Sequence, residues 1–288
     1  MPIVIDKLSY TYSIGTPFEK KALSDISLTI NEGDFLGIIG HTGSGKSTFI
    51  QHLNGLIKLK DGSIKVFDIN LSDRKPDYKL LRSKVGMVFQ YPEYQLFDET
   101  VRQDVAFGPK NIGMTGEALD KAVRESIELV GLDYEEIAER SPFELSGGQK
   151  RRVAIAGVIA MCPSVLILDE PTAGLDPQGK RDILDLLVKL KNKNTPTIIM
   201  ISHDIDEIAE FTSRIVVFNE GSIVYDLPPR ELFKYDKELI NIGLDIPSVI
   251  KVKNYLRDRG YKIDKQVLTI TELVDEVAKL YARKVQNG

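Results

Sequence analysis

Tryptophan is absent from this chain of 288 residues, and cysteine occurs once. A lone cysteine, Cys162, excludes an internal disulfide and is compatible with a reducing cytoplasm. Its apolar neighbours, just before Pro163, point to a packing role. Long apolar runs are missing too. The nearest to a membrane span, "VAIAGVIAMCPSVLILDE", is broken by Pro163 and Ser164 and ends in two acids, so it reads as a helix followed by a buried strand. The opening "MPIVIDKLSY" lacks the charged-then-apolar order of a signal peptide. Work at a membrane would therefore require a partner to hold the chain there. Positive charge is not in excess: 38 basic against 42 acidic residues give a net charge of −4, which argues against a large basic face and a nucleic-acid partner.

What is present has the proportions of an ordinary soluble globular protein, 42% apolar and 28% charged. The length predicts one main domain with an appendage. Strand-like alternation in "IVIDKLSYTY" and "ALSDISLTI", with "SIGTPFEKK" as a loop between, predicts antiparallel strands at the start. "DFLGIIG" is a short apolar strand, and "HTGSGKSTFIQHLNGL" a Gly-rich loop running into a helix. "KVGMVFQ" (84–90) reads as another strand ending at Gln90. Residues from about 91 to 162 have helical spacing. Strands return in "SVLILDE" and "TIIMISHD", separated by the helical "QGKRDILDLLVKLKNKN", and "RIVVFNEGSIVYD" reads as a hairpin around Glu220–Gly221. The alternation predicts an α/β fold with a helical insert. From 227 to 288 the pattern is three helices, the last with an apolar stripe of Leu273, Val274, Val277, Leu280 and Tyr281, which either packs on its own domain or meets another subunit.

"GHTGSGKST" fits G-x-x-x-x-G-K-[ST] between a strand and a helix. Its residues Gly40, His41, Thr42, Gly43, Ser44, Gly45, Lys46, Ser47 and Thr48 are the candidate loop for a nucleotide triphosphate, and the loop alone names nothing more specific. Glycines let consecutive backbone N–H groups turn inward around an anion, and the helix N-terminus adds partial positive charge. Lys46 reaches the β- and γ-phosphates, Ser47 offers its hydroxyl to Mg²⁺, and Thr48 reaches toward the α-phosphate. The His41 side chain has no assigned role, and His52 reads as a helix-surface or packing residue.

In "VLILDEPTAGLDP", Asp169 ends a buried strand and is a candidate Mg²⁺ ligand through water. Glu170 follows, placed to orient or deprotonate the water that attacks the γ-phosphate. His203 closes another apolar strand, and ligands of open α/β sheets lie at the carboxyl ends of the strands, so its imidazole should face the same crevice. Gln90 can contact Mg²⁺ or the attacking water. A second phosphate cradle, "LSGGQ", opens a helix at residues 145–149.

Taken together these elements resemble the ATP-binding cassette ATPases over about residues 3–226. "GHTGSGKST" resembles Walker A, Gln90 the Q-loop, "LSGGQ" the signature, "VLILDE" Walker B, "AGLD" the D-loop with Asp176, and His203 the switch histidine. The resemblance implies a P-loop NTPase domain of this cassette type at 1–226, with an N-terminal antiparallel β subdomain and a helical subdomain at about 91–162. Residues 227–288 would be a small C-terminal helical extension with a dimerisation or regulatory role. It implies ATP and Mg²⁺ as cofactors. It also implies that Ser146, Gly147, Gly148 and Gln149 serve an ATP held by a second chain. Tyr12 resembles the aromatic that stacks on adenine, although strand periodicity alone does not choose between Tyr10 and Tyr12.

A narrower resemblance, carried by "FQYPEYQLFDETVRQDVAFGPKNIG", "GTPFEKKAL", "SPFELSGGQKRRVAIAGVIAM" and the C-terminal segment, is to the ATPase subunits of energy-coupling-factor transporters, of the second of their two types. These take up vitamins and transition-metal ions. That resemblance implies a heterodimer with the first-type ATPase, with a homodimer as the alternative. It also implies docking on a transmembrane coupling subunit and a substrate-binding membrane subunit at the cytoplasmic face. "YPEYQLF" offers Tyr91, Tyr94, Leu96 and Phe97 around Glu93 as a socket for a partner helix, or else as core packing of the insert. Cassette heads of DNA-repair and chromosome-organising proteins are a competing class. Their long coiled-coil insertion has no counterpart here, because no sustained heptads lie between the two cradles. A translation-associated protein would usually carry two cassettes, and a non-transport ATPase with a regulatory tail is the third alternative.

Overall fold

In the computed structural model, which describes residues 2–193, 197–261, 263 and 267–286, the strands divide between two sheets. Along the chain come β1 (Ile3–Tyr12), β2 (Lys20–Ile30), β3 (Phe35–Ile39), α1 (Lys46–Leu53), β4 (Asp61–Val66), β5 (Ile69–Asn70), α2 (Tyr78–Lys84) and β6 (Val85–Val88). The helices α3 (Val101–Ile112), α4 (Gly116–Leu129), α5 (Tyr134–Ile137) and α6 (Gly147–Ile159) follow. Then β7 (Val165–Asp169), α7 (Pro177–Lys193), β8 (Thr197–Ile201), α8 (Ile205–Phe211), β9 (Arg214–Asn219) and β10 (Ser222–Leu227) alternate. The helices α9 (Pro229–Leu232), α10 (Asp236–Asn241), α11 (Ser248–Asp258) and α12 (Ile270–Gln286) complete the order.

The antiparallel sheet runs β2-β1-β4-β5, and the larger sheet runs β10-β9-β3-β8-β7-β6. In the larger one β9, β3, β8, β7 and β6 are parallel, and β10 is an antiparallel edge. The hairpin that adds β10 turns through Glu220 and Gly221, both at positive φ (48° and 80°), as a two-residue turn matched to strand twist requires.

Both faces of the parallel sheet are covered, which is why its strands are apolar throughout. On β7, Val165 and Ile167 face the antiparallel sheet and α1, whereas Leu166 and Leu168 face the helical insert and the C-terminal helices. The second of these cores is continuous: it runs from Val105 and Val153 through Leu187 and Ile208 to Leu232, Phe233, Leu239, Ile246, Val249 and Ile250 of the last helices. Ser248 also donates from its amide and hydroxyl to Asp206 of α8, at 2.7 and 2.6 Å. Among the described residues no helix is long and apolar enough to cross a membrane.

The periodicity misses β4, β5 and α2, which lie in a short polar stretch with little alternation, and it misses the short helices α8 and α10. Gln90 does not end its strand: β6 stops at Val88, and Gln90 sits exposed in the bend beyond it. Cys162 is exposed, not packed, because it turns the chain between α6 and β7 at a φ of 51°. On α12, Leu273 packs inward and Leu280 is half-buried, but Val274, Val277 and Tyr281 lie exposed.

Candidate functional site

The loop between β3 and α1 is built by close approach. A side chain at Gly45, whose φ is 107°, would put its Cβ 2.5 Å from the Ala22 carbonyl; at Gly40 it would meet the Phe218 carbonyl at 2.4 Å. The loop is therefore pressed against β2 and the β9–β10 turn, whose Gly221 amide donates to the Ser44 carbonyl at 3.0 Å. Lys46 is buried, and its ammonium donates to the carbonyls of Gly40 (2.7 Å) and His41 (3.0 Å). An ammonium has three donors, so one remains to be aimed at a ligand in the loop. Burial pulls the Lys46 pKa down, while Glu170 and Asp169 push it back up. His41 is turned away, with Nε2 3.2 Å from Asn219 Oδ1.

Tyr12 stands over the start of α1: its hydroxyl lies 3.1 Å from Thr48 Oγ1, and its ring packs edge-on to Tyr10 with centroids 4.8 Å apart. Tyr10 turns inward toward His52, centroids 4.9 Å apart. Bulges on either side of Tyr10 break the alternation, so the two tyrosines take different environments despite their i, i+2 spacing. His52 is a packing residue, 1% exposed, with Nδ1 2.7 Å from the Thr48 carbonyl.

At the carboxyl end of β7, burial raises the Asp169 pKa, and the neighbouring Ser47 hydroxyl and Lys46 lower it. Glu170 sits next to it with a φ of 54°, a conformation that a non-glycine residue adopts at a cost of about 1–3 kcal/mol. Its Oε2 accepts from the His203 amide at 3.3 Å, and its Oε1, buried and without a hydrogen bond among the described residues, lies 3.3 Å from His203 Nε2. Burial, with help from Asp169 and Glu207, pushes the Glu170 carboxyl up to about 7. His203, just past the end of β8, is pulled down by burial and by Lys46, so its imidazole is neutral at pH 7. Lys46, Ser47, Asp169, Glu170 and His203 thus gather at one edge of the sheet. Gln90 makes no hydrogen bond to any of them among the described residues.

Residues 146–149 make no hydrogen bond or ion pair with this edge among the described residues. Ser146 caps α6: its hydroxyl accepts from the Gln149 amide at 3.3 Å, and the Gln149 side chain accepts from the Ser146 amide at 3.0 Å. Both side chains are thereby occupied within the loop. Gly147 and Gly148 are different: a Cβ on either would meet nothing within 4 Å, and neither has a positive φ. Among the described residues nothing demands glycine at those positions. Asp176 caps α7, accepting from the Gly179 amide at 2.7 Å.

Periodicity and motif reading missed Arg151. From α6 its guanidinium grips Glu93 with two bonds, at 3.0 and 2.7 Å, and donates to the carbonyls of Pro171 (3.3 Å) and Ala173 (2.7 Å). Its side chain is 3% exposed, and the bridge holds the Glu93 pKa low against burial. Glu93 therefore faces inward, not into a socket, and Leu96 is core, while Tyr91, Tyr94 and Phe97 remain exposed. The "KRR" after the signature was the available sequence signal, but charge there reads equally as a solvated helix face. Arg151→Met would leave Glu93 without its partner, and a loss of about 3–5 kcal/mol in urea denaturation is expected. A loss below about 1 kcal/mol would contradict a buried pair. Beside this bridge, a cavity of about 670 Å³ opens between β6, α3 and α6, lined by Met87, Phe89, Phe97, Phe107 and Met161 among others.

The sequence profile of a family described as "ABC transporter" matches residues 23–173. The chain is 51% identical over 281 residues to the "Energy-coupling factor transporter ATP-binding protein EcfA2" of Clostridioides difficile, covering 97% of this chain and 98% of that protein. The protein of the same description from Clostridium tetani is 46% identical over 287 residues, covering all of both chains. Among solved structures, cbiO1 of Clostridium perfringens, described as part of the ABC transporter complex cbiONQ, superimposes with a TM-score of 0.73 at 38% identity, over 90% of this chain and 96% of that one. A dimeric ATP-binding cassette in a post-hydrolysis state, bound to ADP and Pi, superimposes with a TM-score of 0.69 at 31% identity, over 79% and 98%.

Proposed function

Because this chain belongs to the ABC transporter family of ATP-binding proteins, we propose that it is the ATP-hydrolysing motor of an energy-coupling-factor importer. It would drive uptake of vitamins or transition-metal ions through membrane subunits, bound peripherally at the cytoplasmic face. The observation that carries the reading is the division of the site. Lys46, Asp169, Glu170 and His203 converge at one edge, while Gly147 and Gly148 lie bare elsewhere, with no reason among the described residues to be glycine. Bare glycines at a helix N-terminus admit the close approach of a phosphate, here one held by another chain. The working unit is then a pair of cassettes, with a second ATPase of related type or another copy of this chain.

In that unit each residue has a chemical task. The 40–48 loop and Lys46 bind the triphosphate, and Tyr12 supports the adenine. Ser47 and Asp169, brought together as hard oxygen donors, fit a Mg²⁺ ion, with Gln90 as a further ligand once its bend moves inward. Among the described residues no three His, Cys, Asp or Glu side chains form a metal site of their own, so the ion would share its shell with the nucleotide. Bound there, it would neutralise phosphate charge. Glu170, with a pKa of about 7 and a free buried oxygen, accepts a proton from the attacking water, and neutral His203 donates to the γ-phosphate. Ser146 to Gln149 complete the partner's site, and Asp176 lies where cassettes would meet.

Residues 1–226 form the cassette in this reading, with 91–162 as the helical subdomain and 227–288 as an extension that contributes to pairing or regulation. The cavity lined by exposed Phe97 and Phe107 is the docking groove for a helix of the coupling subunit. Purification from native membranes in detergent tests the assignment. Co-purification of integral membrane proteins and a second ATPase is expected; recovery of ribosomes or nucleic acid without them would overturn it.

A further inference from the structure

Behind the candidate catalytic edge lies a buried carboxylate that no step above uses. Glu207, on α8, is 7% exposed. Its Oε2 accepts hydrogen bonds from Thr172 Oγ1 at 2.8 Å and from Ser202 Oγ at 3.1 Å. Its Oε1 lies 3.3 Å from Lys180 Nζ, which is also 2.8 Å from Asp204 Oδ2. The positions of these partners are what matter. Thr172 is two residues past Glu170, Ser202 immediately precedes His203, and Lys180 lies in the first turn of the helix that Asp176 caps.

We infer that Glu207 is a positioning residue for ATP hydrolysis, a single buried carboxylate that clamps together the three segments carrying Glu170, His203 and Asp176. The donors suit a carboxylate acceptor, although burial raises its pKa. Two hydroxyl donors and an ammonium converge on it from different elements, and an ionised carboxylate offers about four lone-pair sites while donating nothing. Hydrogen bonds to a charged group are roughly twice as strong as neutral ones and are directional, so the clamp fixes where the three segments sit relative to one another. Removing the carboxylate would leave the buried hydroxyls of Thr172 and Ser202 without their acceptor, whereas Lys180, about a third exposed, would keep Asp204. The clamp also closes locally: the Ser202 hydroxyl accepts from the Asp204 amide at 3.0 Å, and Asp204 Oδ1 accepts from the Glu207 amide at 3.3 Å, so the turn around His203 is tied at both ends.

The inference rests on the roles proposed for Glu170 and His203, and its test separates the two. Glu207→Ala, Thr172→Val and Thr172→Ser are compared in the assembled transporter, with ATP affinity measured on the same samples. Misplacing a reacting group by about 1 Å can cost about 10²-fold in rate. Accordingly Glu207→Ala should lower kcat about 10²-fold and Thr172→Val about tenfold, with ATP affinity held within about threefold, because neither residue touches the 40–48 loop. Thr172→Ser, which keeps the hydroxyl, should restore kcat to within about threefold of the parent. A kcat unchanged in Glu207→Ala, a parallel loss of kcat and ATP affinity, or equal effects of Thr172→Val and Thr172→Ser would each overturn the clamp. Should Glu207→Ala fail to fold, the Thr172 pair alone decides. Full activity in Glu170→Gln would instead remove the reading beneath the inference, whatever the Thr172 variants do.

Discussion

Glu170→Gln should slow ATP hydrolysis by about 10²–10⁴-fold, the usual worth of a positioned general base, while leaving ATP binding intact. The geometry sets this expectation. Gln keeps the size of the side chain and an oxygen for the His203 amide, but it cannot take a proton through the free Oε1. A second consequence runs in the opposite direction. The folded chain holds the Glu170 proton up to a pH of about 7, against an ordinary value of 4.5. Stability that wild-type protein has at low pH is therefore lost as pH rises through that window, because ionising the buried carboxylate opposes folding. Gln does not titrate. In chelator and without nucleotide, Glu170→Gln should be more stable to unfolding than wild type at pH 8, by on the order of 1–3 kcal/mol, with the difference vanishing below pH of about 4.5. Urea denaturation across pH reads it directly; a variant less stable than wild type at pH 8 would show that Glu170 is not held in this environment.

Gly148→Asp should separate the chain's own properties from those of the pair. The site has room for the side chain, and an acid in the first turn of α6 complements the helix dipole, so stability of the isolated chain should hold or rise by about 0.5–1 kcal/mol. ATP binding by the isolated chain should not change, since no described contact links residue 148 to the 40–48 loop. In the assembled pair, however, a carboxylate would face the triphosphate across the interface. Like charges at contact cost several kcal/mol, which predicts a fall in turnover of about 10² or more. Loss of ATP binding by the isolated variant, or normal turnover by the pair, would contradict the reading of these glycines. Ser146 is a poorer probe, because replacing it also removes the cap that Gln149 completes.

Much of this site was legible because its chemistry is sequential. In 40–48 the loop glycines, Lys46 and Ser47 are neighbours in the chain, and the second cradle is five consecutive residues, 145–149. The strands with both faces buried announced themselves by apolar runs, and the hairpin by Glu220–Gly221. What was not legible depends on partners far apart. Arg151 and Glu93 are separated by 58 residues, Glu207 and Thr172 by 35, and neither pattern repeats with a period that a strand or helix would impose. The direction of Glu93 was misjudged for the same reason: a lone acid among aromatics looks like a rim until the arginine beneath it is known. Strands β4 and β5 escaped because a six-residue and a two-residue strand with polar outer positions leave little alternation to detect.

The continuous core under α9 to α11 bears on how such motors can be taken apart. The secondary structure changes character at Leu227, yet Phe233, Leu239, Ile246 and Ile250 complete the same apolar layer as Ile208 and Leu187, and Ser248 is fastened to the helix that follows His203. The tail is thus no detachable accessory. Swapping cassettes between related motors at that joint would pair each sheet with a foreign underside, so the natural unit of exchange is the whole chain, tail included.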